Sequence, residues 1–279
     1  MPTTTGYIPI EGGRLFYETT GDPSHPAFVM IHAGVADHRM WQPQVDAFSH
    51  RFYCVTYDVR GFGKTESENG RFNNRRDLMA LLDHLKIDRA ILMGCSRGGQ
   101  ISGDFTIENP SRVRALILVG SGLTGYFEDV STAEEIALFE EMEAAANASD
   151  WDKVEALELR AWYQGVTRSV DQVDPAYLAK GAQMLRDGRV HSLKHGMNGL
   201  EFVPIEPPTA QRLNEFKIPV LILCGDADMT DAKAVAQVMY KGIAGSEVVI
   251  MPNSTHLPGL EKPDEFNHHI GAFLDRVTG

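Results

Sequence analysis

Six short, almost wholly apolar runs recur along this chain, and they limit its fold more than any other feature. They are AFVMI (27–31), FYCVTY (52–57), AILMG (90–94), ALILV (115–119), VLILC (220–224) and EVVIM (247–251). A strand with one face in water alternates apolar and polar residues, whereas a continuous apolar run needs protein over both faces. Such strands pair in parallel and need crossover helices between them. The intervening stretches supply these. Residues 73–86 place Leu78, Leu81, Leu82 and Leu85 at i, i+3, i+4 and i+7. Residues 101–109 continue as a helix that stops before Pro110, and 232–243 and 264–276 repeat the helical period. One more strand, 14–20, follows the Gly12-Gly13 turn. The expectation is an α/β fold with a mostly parallel central sheet flanked by helices.

The rhythm breaks between 123 and 213, where strand-like runs disappear. Residues 134–146 read as an acidic helix with Ile136, Phe139 and Met142 on one stripe. Residues 151–163 carry Val154, Leu157 and Ala161 at helical spacing, and 175–186 form a third helix with Pro175 in its first turn. Pro204, Pro207 and Pro208 close the segment. Residues 1–122 and 214–279 are thus expected to form the core, with an all-helical insertion at 123–213. For 279 residues, 43% hydrophobic and 23% charged is ordinary for a folded globular chain.

A formal net charge of -12 argues against nucleic acid as a partner, because phosphate backbones attract basic surfaces. Cys54, Cys95 and Cys224 are far apart and form no CxxC pair, which predicts a reducing, cytoplasmic setting without disulfides or a cysteine-bound metal. The first residues, MPTTTGYIPIEGG, do not read as a signal peptide, and no apolar run approaches the roughly 20 residues of a membrane helix.

Gly94-Cys95-Ser96-Arg97-Gly98 follows an apolar run and opens a helix. A G-x-S-x-G turn in that setting holds its serine on a sharp bend, where side chains at the flanking glycines would collide. Serine needs a base and an orienting acid to act as a nucleophile. His256 lies in a polar loop after the last apolar run, whereas His268 and His269 fall within a helix. Asp226 and Asp228 both follow the 220–224 run, with Asp231 further on. Carboxylates at that edge of a parallel sheet sit where the sites of such folds form. The order Ser, Asp, His is that of one known hydrolase architecture. An oxyanion would be held by the Arg97 amide and by the glycine-bearing loop His32-Ala33-Gly34.

Together these residues resemble the α/β-hydrolase superfamily, in particular its small soluble esterase-like members with a helical cap. The resemblance rests on His32-Ala33-Gly34, the segment Asp58-Val59-Arg60-Gly61-Phe62-Gly63-Lys64-Thr65, the Gly94–Gly99 turn, Gly225–Asp228 and the stretch from His256 to Pro263. It implies Ser96 as nucleophile, His256 as base and Asp228 as the acid. It also implies the Gly34 and Arg97 amides as oxyanion donors, with Ala33 standing where the family has glycine. No metal or organic cofactor is implied, and the partner is a small acyl substrate. The cap would select it, with Trp151, Trp162, Tyr126, Phe127 and Tyr163 as aromatics that line the pocket or pack the helices. Arg60 is expected to anchor a loop. The Arg97 side chain, unusual beside a nucleophile, is expected at the surface or in an ion pair, with a substrate carboxylate as the other option.

Serine disfavours haloalkane dehalogenase and epoxide hydrolase chemistry, which needs aspartate at this place. Carboxylesterase, lactonase, C–C bond hydrolase, aminopeptidase and perhydrolase activities all fit. A non-catalytic ligand receptor on the same fold is the alternative of a different class.

Overall fold

The computed structural model describes residues 1–128, 130–195 and 199–278. Strands β1 (Thr3–Ile10), β2 (Gly13–Thr20), β3 (Ala27–Ile31), β4 (Tyr53–Tyr57), β5 (Glu66–Ser67), β7 (Ala90–Cys95), β8 (Val113–Val119), β10 (Val220–Gly225) and β11 (Glu247–Met251) form one sheet. Its order is β1-β2-β4-β3-β7-β8-β10-β11, with β5 against β2. From β4 to β11 every neighbouring pair is parallel; β1–β2, β2–β4 and β2–β5 are antiparallel. The mostly parallel sheet expected from the apolar runs is therefore present.

The strands show why those runs are apolar throughout. Every residue of β3, β7 and β10 is buried. Successive side chains point to opposite faces, so Val29 and Ile31 join one core while Phe28 and Met30 join the other. The first core is covered by helices α2 (Asn74–His84), α3 (Arg97–Glu108) and α7 (Thr230–Gly242), through Leu78, Phe105 and Val235 among others. The second lies under α1 (Gln42–Phe48) and α9 (Pro263–Thr278), through Phe48, Phe266 and Ile270. Burying one such side chain contributes about 1.5–3 kcal/mol. The four-residue helix α8 (Pro258–Glu261) precedes α9.

Between β8 and β10 the chain forms helices α4 (Ala133–Asn147), α5 (Trp151–Leu159) and α6 (Pro175–His195), as expected, although α6 runs past Arg186. Two details differ from the sequence reading. The inward face of α4 carries Leu138 and Ala145, while Ile136 and Phe139 are 41% and 37% exposed. The segment is also not all-helical: β9 (Leu200–Phe202) pairs in parallel with β6 (Gly70–Phe72) outside the main sheet. Three residues are too few for an alternating pattern to register. Among the described residues, no helix is long and apolar enough to cross a membrane.

Candidate active site

Parallel strands deliver the loops after β3, β7, β8, β10 and β11 to one edge of the sheet. Register fixes their level, with Ile31 opposite Gly94, Cys95 and Leu223 both opposite Val119, and Gly225 opposite Met251. His32, Ser96, Gly120, Asp228 and His256 all follow these strand ends.

Ser96 sits between β7 and α3 with φ 52° and ψ -114°. A non-glycine residue in such a conformation costs on the order of 1–3 kcal/mol and persists only when its surroundings impose it. The imposing contacts are visible. The Ser96 amide donates to Val119 O at 2.9 Å, and its carbonyl accepts from the Gln100 and Gly122 amides at 3.0 and 3.1 Å. A Cβ on Gly94 would run into the Gly98 carbonyl, and one on Gly98 into the Ile31 carbonyl. The flanking glycines are thus required by close backbone approach.

His256 and Asp228 are both buried and bonded to each other. His256 Nδ1 lies 2.9 Å from Asp228 Oδ1 and 3.0 Å from Oδ2. Facing a carboxylate, Nδ1 is the donor, which leaves Nε2 as the free lone pair. Burial pulls the His256 pKa down. The attraction and hydrogen bond of Asp228, with a further contribution from Asp231, outweigh it, so the pKa is raised. Asp228 Oδ1 also accepts the Met229 amide at 2.7 Å. Of the two acids the sequence left open, Asp226 is exposed, and among the described residues its carboxylate meets only the Ser254 amide, at 3.4 Å.

Elbow and histidine loop adjoin, with Cys95 Sγ 3.4 Å from His256 O. Among the described residues, no hydrogen bond joins the Ser96 hydroxyl to His256. Such contacts are often long in unliganded sites and tighten when substrate is bound. Among the described residues, neither the Gly34 nor the Arg97 amide donates a hydrogen bond, so both N–H groups are available. Ala33, in the family's glycine position, is fully buried and its amide meets Met40 Sδ at 3.3 Å. Beneath that loop, His32 Nδ1 donates to Ala33 O and Nε2 accepts the Val59 amide.

Further residues hold this arrangement; Gly120 and Glu261 gave no signal of their role in the sequence, whereas Trp162, Tyr163 and Arg60 were named from it. Gly120, at φ +47°, packs so closely that a Cβ would lie 3.0 Å from Asp228 Oδ2 and 3.1 Å from His256 Nδ1. The Trp162 ring packs against the His256 ring at a tilt of 47°, with centroids 4.7 Å apart. Glu261 holds the loop before the histidine by accepting from the Thr255 amide at 2.7 Å, and it pairs with Arg168 at 2.7 Å. Tyr163 Oη donates to Val35 O at 2.7 Å, tying the helical segment to the Gly34 loop. Arg60 makes a bidentate pair with Asp77, at 3.0 and 2.8 Å, and so holds its loop against α2.

A cavity of about 500 Å³ opens beside the Gly34 loop. Gly34, Val35 and Phe62 form its core wall, and Trp151, Glu158 and Arg189 lie in the opposite wall. Neither Ser96 nor His256 lines it; what it shares with the site is Gly34. Its volume suits a small molecule. Of the aromatics named from sequence, Trp151 lines this space, Trp162 covers His256, Tyr163 is buried and Phe127 is 91% exposed.

Asp37, His38 and Asp58 bring ligand atoms within 4.8 Å of one another. Those atoms are already committed. Asp58 takes the His38 and Lys64 amides and His38 Nδ1, while Asp37 pairs with Arg39. Burial lowers the His38 pKa, but Asp58, Asp37 and Glu18 together raise it, which favours an imidazolium over a metal ligand. The cluster is an ion-pair knot under the loop that carries Phe62.

A family model described as the alpha/beta hydrolase fold matches residues 26–263. The chain belongs to this family. It is a hydrolase. It is 25% identical over 267 residues to 3-oxoadipate enol-lactonase 2 of Acinetobacter baylyi, covering 95% of this chain and 94% of that protein. It is 23% identical to carboxylesterase YbfK of Bacillus subtilis, over 96% of this chain and 86% of that one. A thermophilic esterase from Thermogutta terrifontis superposes with a TM-score of 0.77 at 22% identity, covering 99% and 100% of the two chains.

Proposed function

We propose that this hydrolase cleaves small carboxylic esters, or lactones of similar size, by two-step acyl transfer. Ser96 attacks the carbonyl while His256 Nε2 takes its proton. Asp228 holds the imidazole in the Nδ1–H form and stabilises the imidazolium. The Gly34 and Arg97 amides bind the oxyanion. His256 then protonates the leaving alcohol, and water releases the acid by the reverse sequence.

The observation that carries this reading is the buried His256–Asp228 pair, at 2.9 Å, on the sheet edge where Ser96 occupies a strained turn. Relatives named as an enol-lactonase and a carboxylesterase support an ester or lactone bond as the target. Residues 123–213 are taken as the cap, because their helices supply the wall opposite Gly34. The three cysteines, buried and unpaired, support a reducing, cytoplasmic setting.

A fluorophosphonate probe should label Ser96, as read by peptide mass, and p-nitrophenyl acetate should be turned over. Ser96→Ala should abolish labelling and lower kcat by about 10⁶. A variant that keeps most of its ester hydrolysis would remove Ser96 from the mechanism.

A further inference from the structure

The mechanism uses the Arg97 amide and leaves the Arg97 side chain without a task. Its guanidinium lies beside both core-wall elements of the cavity. A Cβ on Gly34 would sit 3.1 Å from Arg97 Nε, and Arg97 Cζ stands 5.3 Å over the centre of the Phe62 ring. Contact with a ring face leaves the in-plane N–H donors of a guanidinium free. Among the described residues, no carboxylate and no carbonyl takes them. Arginines with less exposure than Arg97 do find acids: Arg60, which is buried, and Arg168 and Arg189, which are half-buried, face them at 2.8, 2.7 and 3.6 Å. The Arg97 residue is exposed, yet enough protein crowds it that burial lowers its pKa, with no acid opposing the shift. Of the two placements expected from sequence, surface or ion pair, it takes the surface; among the described residues no acid pairs with its charge.

An exposed guanidinium with no acid beside it keeps its charge and its donors available to a ligand. In a chain of net charge -12 it is also the local exception that would let an anionic group approach. A fork of donors in a fixed plane matches a carboxylate bidentately. We propose that the Arg97 guanidinium is a carboxylate-binding subsite, so that the preferred substrates are esters or lactones bearing a free carboxylate on the part that enters beside Gly34 and Phe62. This rests on the acyl-transfer reading for its catalytic consequence, although the subsite itself does not require turnover. Glu158 and Arg189 lie in the opposite, helical wall; Arg189 is occupied by Glu155, and burial raises the Glu158 pKa, which lessens its repulsion of an anion.

The test compares two esters of equal shape, mono-p-nitrophenyl glutarate and its neutral counterpart p-nitrophenyl glutaramate. The wild-type protein should favour the acid in kcat/KM by about 10–100-fold, the loss typical of one charge-assisted hydrogen-bonded pair. Arg97→Met should bring that ratio to unity or below, and Arg97→Lys, which keeps charge but not the fork, should restore part of it. Equal turnover of the two esters by the wild type, or an unchanged ratio in Arg97→Met, would overturn the proposal. Calorimetric binding of glutarate to both proteins gives a readout independent of catalysis. At least tenfold weaker binding to Arg97→Met supports the subsite even if neither ester is cleaved, in which case only the acyl-transfer reading fails. Equal affinity overturns the subsite.

Discussion

The two walls of the cavity are held by different forces. On the core side, Gly34 and Phe62 lie in loops leaving β3 and β4, strands bonded on both sides and packed above and below by apolar layers. On the other side, Trp151, Glu158 and Arg189 ride on α5 and α6. Those helices and α4 bury a smaller apolar set, Leu138, Val154 and Leu157 among it, and are laced at their surface by ion pairs: Lys153 with Glu141 and Arg186 with Glu155 at 2.9 Å, and Arg160 with Glu134 at 3.0 Å. An exposed pair is worth roughly 0–1 kcal/mol, less than one buried phenylalanine. The residues assigned the chemistry therefore sit where folding energy is concentrated, and the wall assigned to substrate choice sits where change is cheap.

The sharpest way to break this contrast is on the core side. Asp228→Asn keeps the shape but removes the charge opposite His256, and it should lower kcat by about 10⁴. It should also move the pH profile. The raised pKa keeps His256 protonated, hence inactive as a base, to a higher pH than an ordinary histidine. The acid limb of kcat/KM should accordingly lie above about 6.5 in the wild type. With the carboxylate gone, burial is opposed only by the smaller pull of Asp231, and the limb should shift to lower pH. A limb unmoved in Asp228→Asn would detach the pair from catalysis.

A smaller effect compares the walls directly. Phe105, fully buried in α3, should cost about 3–5 kcal/mol of stability when changed to alanine, read as a lowered denaturation midpoint. Trp151, 40% exposed in the cavity's other wall, should cost under about 1 kcal/mol and instead raise KM by less than tenfold. Equal destabilisation by the two changes would mean that the helical wall is as integral to the fold as the sheet.

The same contrast governs what the sequence made legible. Central strands announce themselves because burial on both faces forces continuous apolar runs, and the turn around Ser96 does so because close approach forces its glycines. Edge strand β1, TTTGYIPI, passed unnoticed, since Ile8 is its one fully buried residue and its threonines face water. Spacing alone does not set the inward face of α4. Ile136, Phe139 and Met142 share a stripe by spacing, but packing against neighbours decides which stripe turns inward, and it selects Leu138. Asp226 and Asp228 cannot be separated by spacing; the backbone turn that returns the Asp228 amide to Gly225 O at 3.3 Å decides which carboxylate meets the imidazole. Trp162 on His256 and Gly120 beside the pair are contacts between segments distant in the chain, for which no local pattern exists.

The most direct measurement is a crystal structure of the wild-type protein after reaction with a small alkyl fluorophosphonate. It should show phosphorus bonded to Ser96 Oγ, the phosphoryl oxygen within about 3.1 Å of the Gly34 and Arg97 amides, and His256 Nε2 within hydrogen-bond reach of the adduct. An adduct on another residue, or an imidazole that stays beyond contact with the phosphonate while still bonded to Asp228, would contradict the convergence of these loops into one working site.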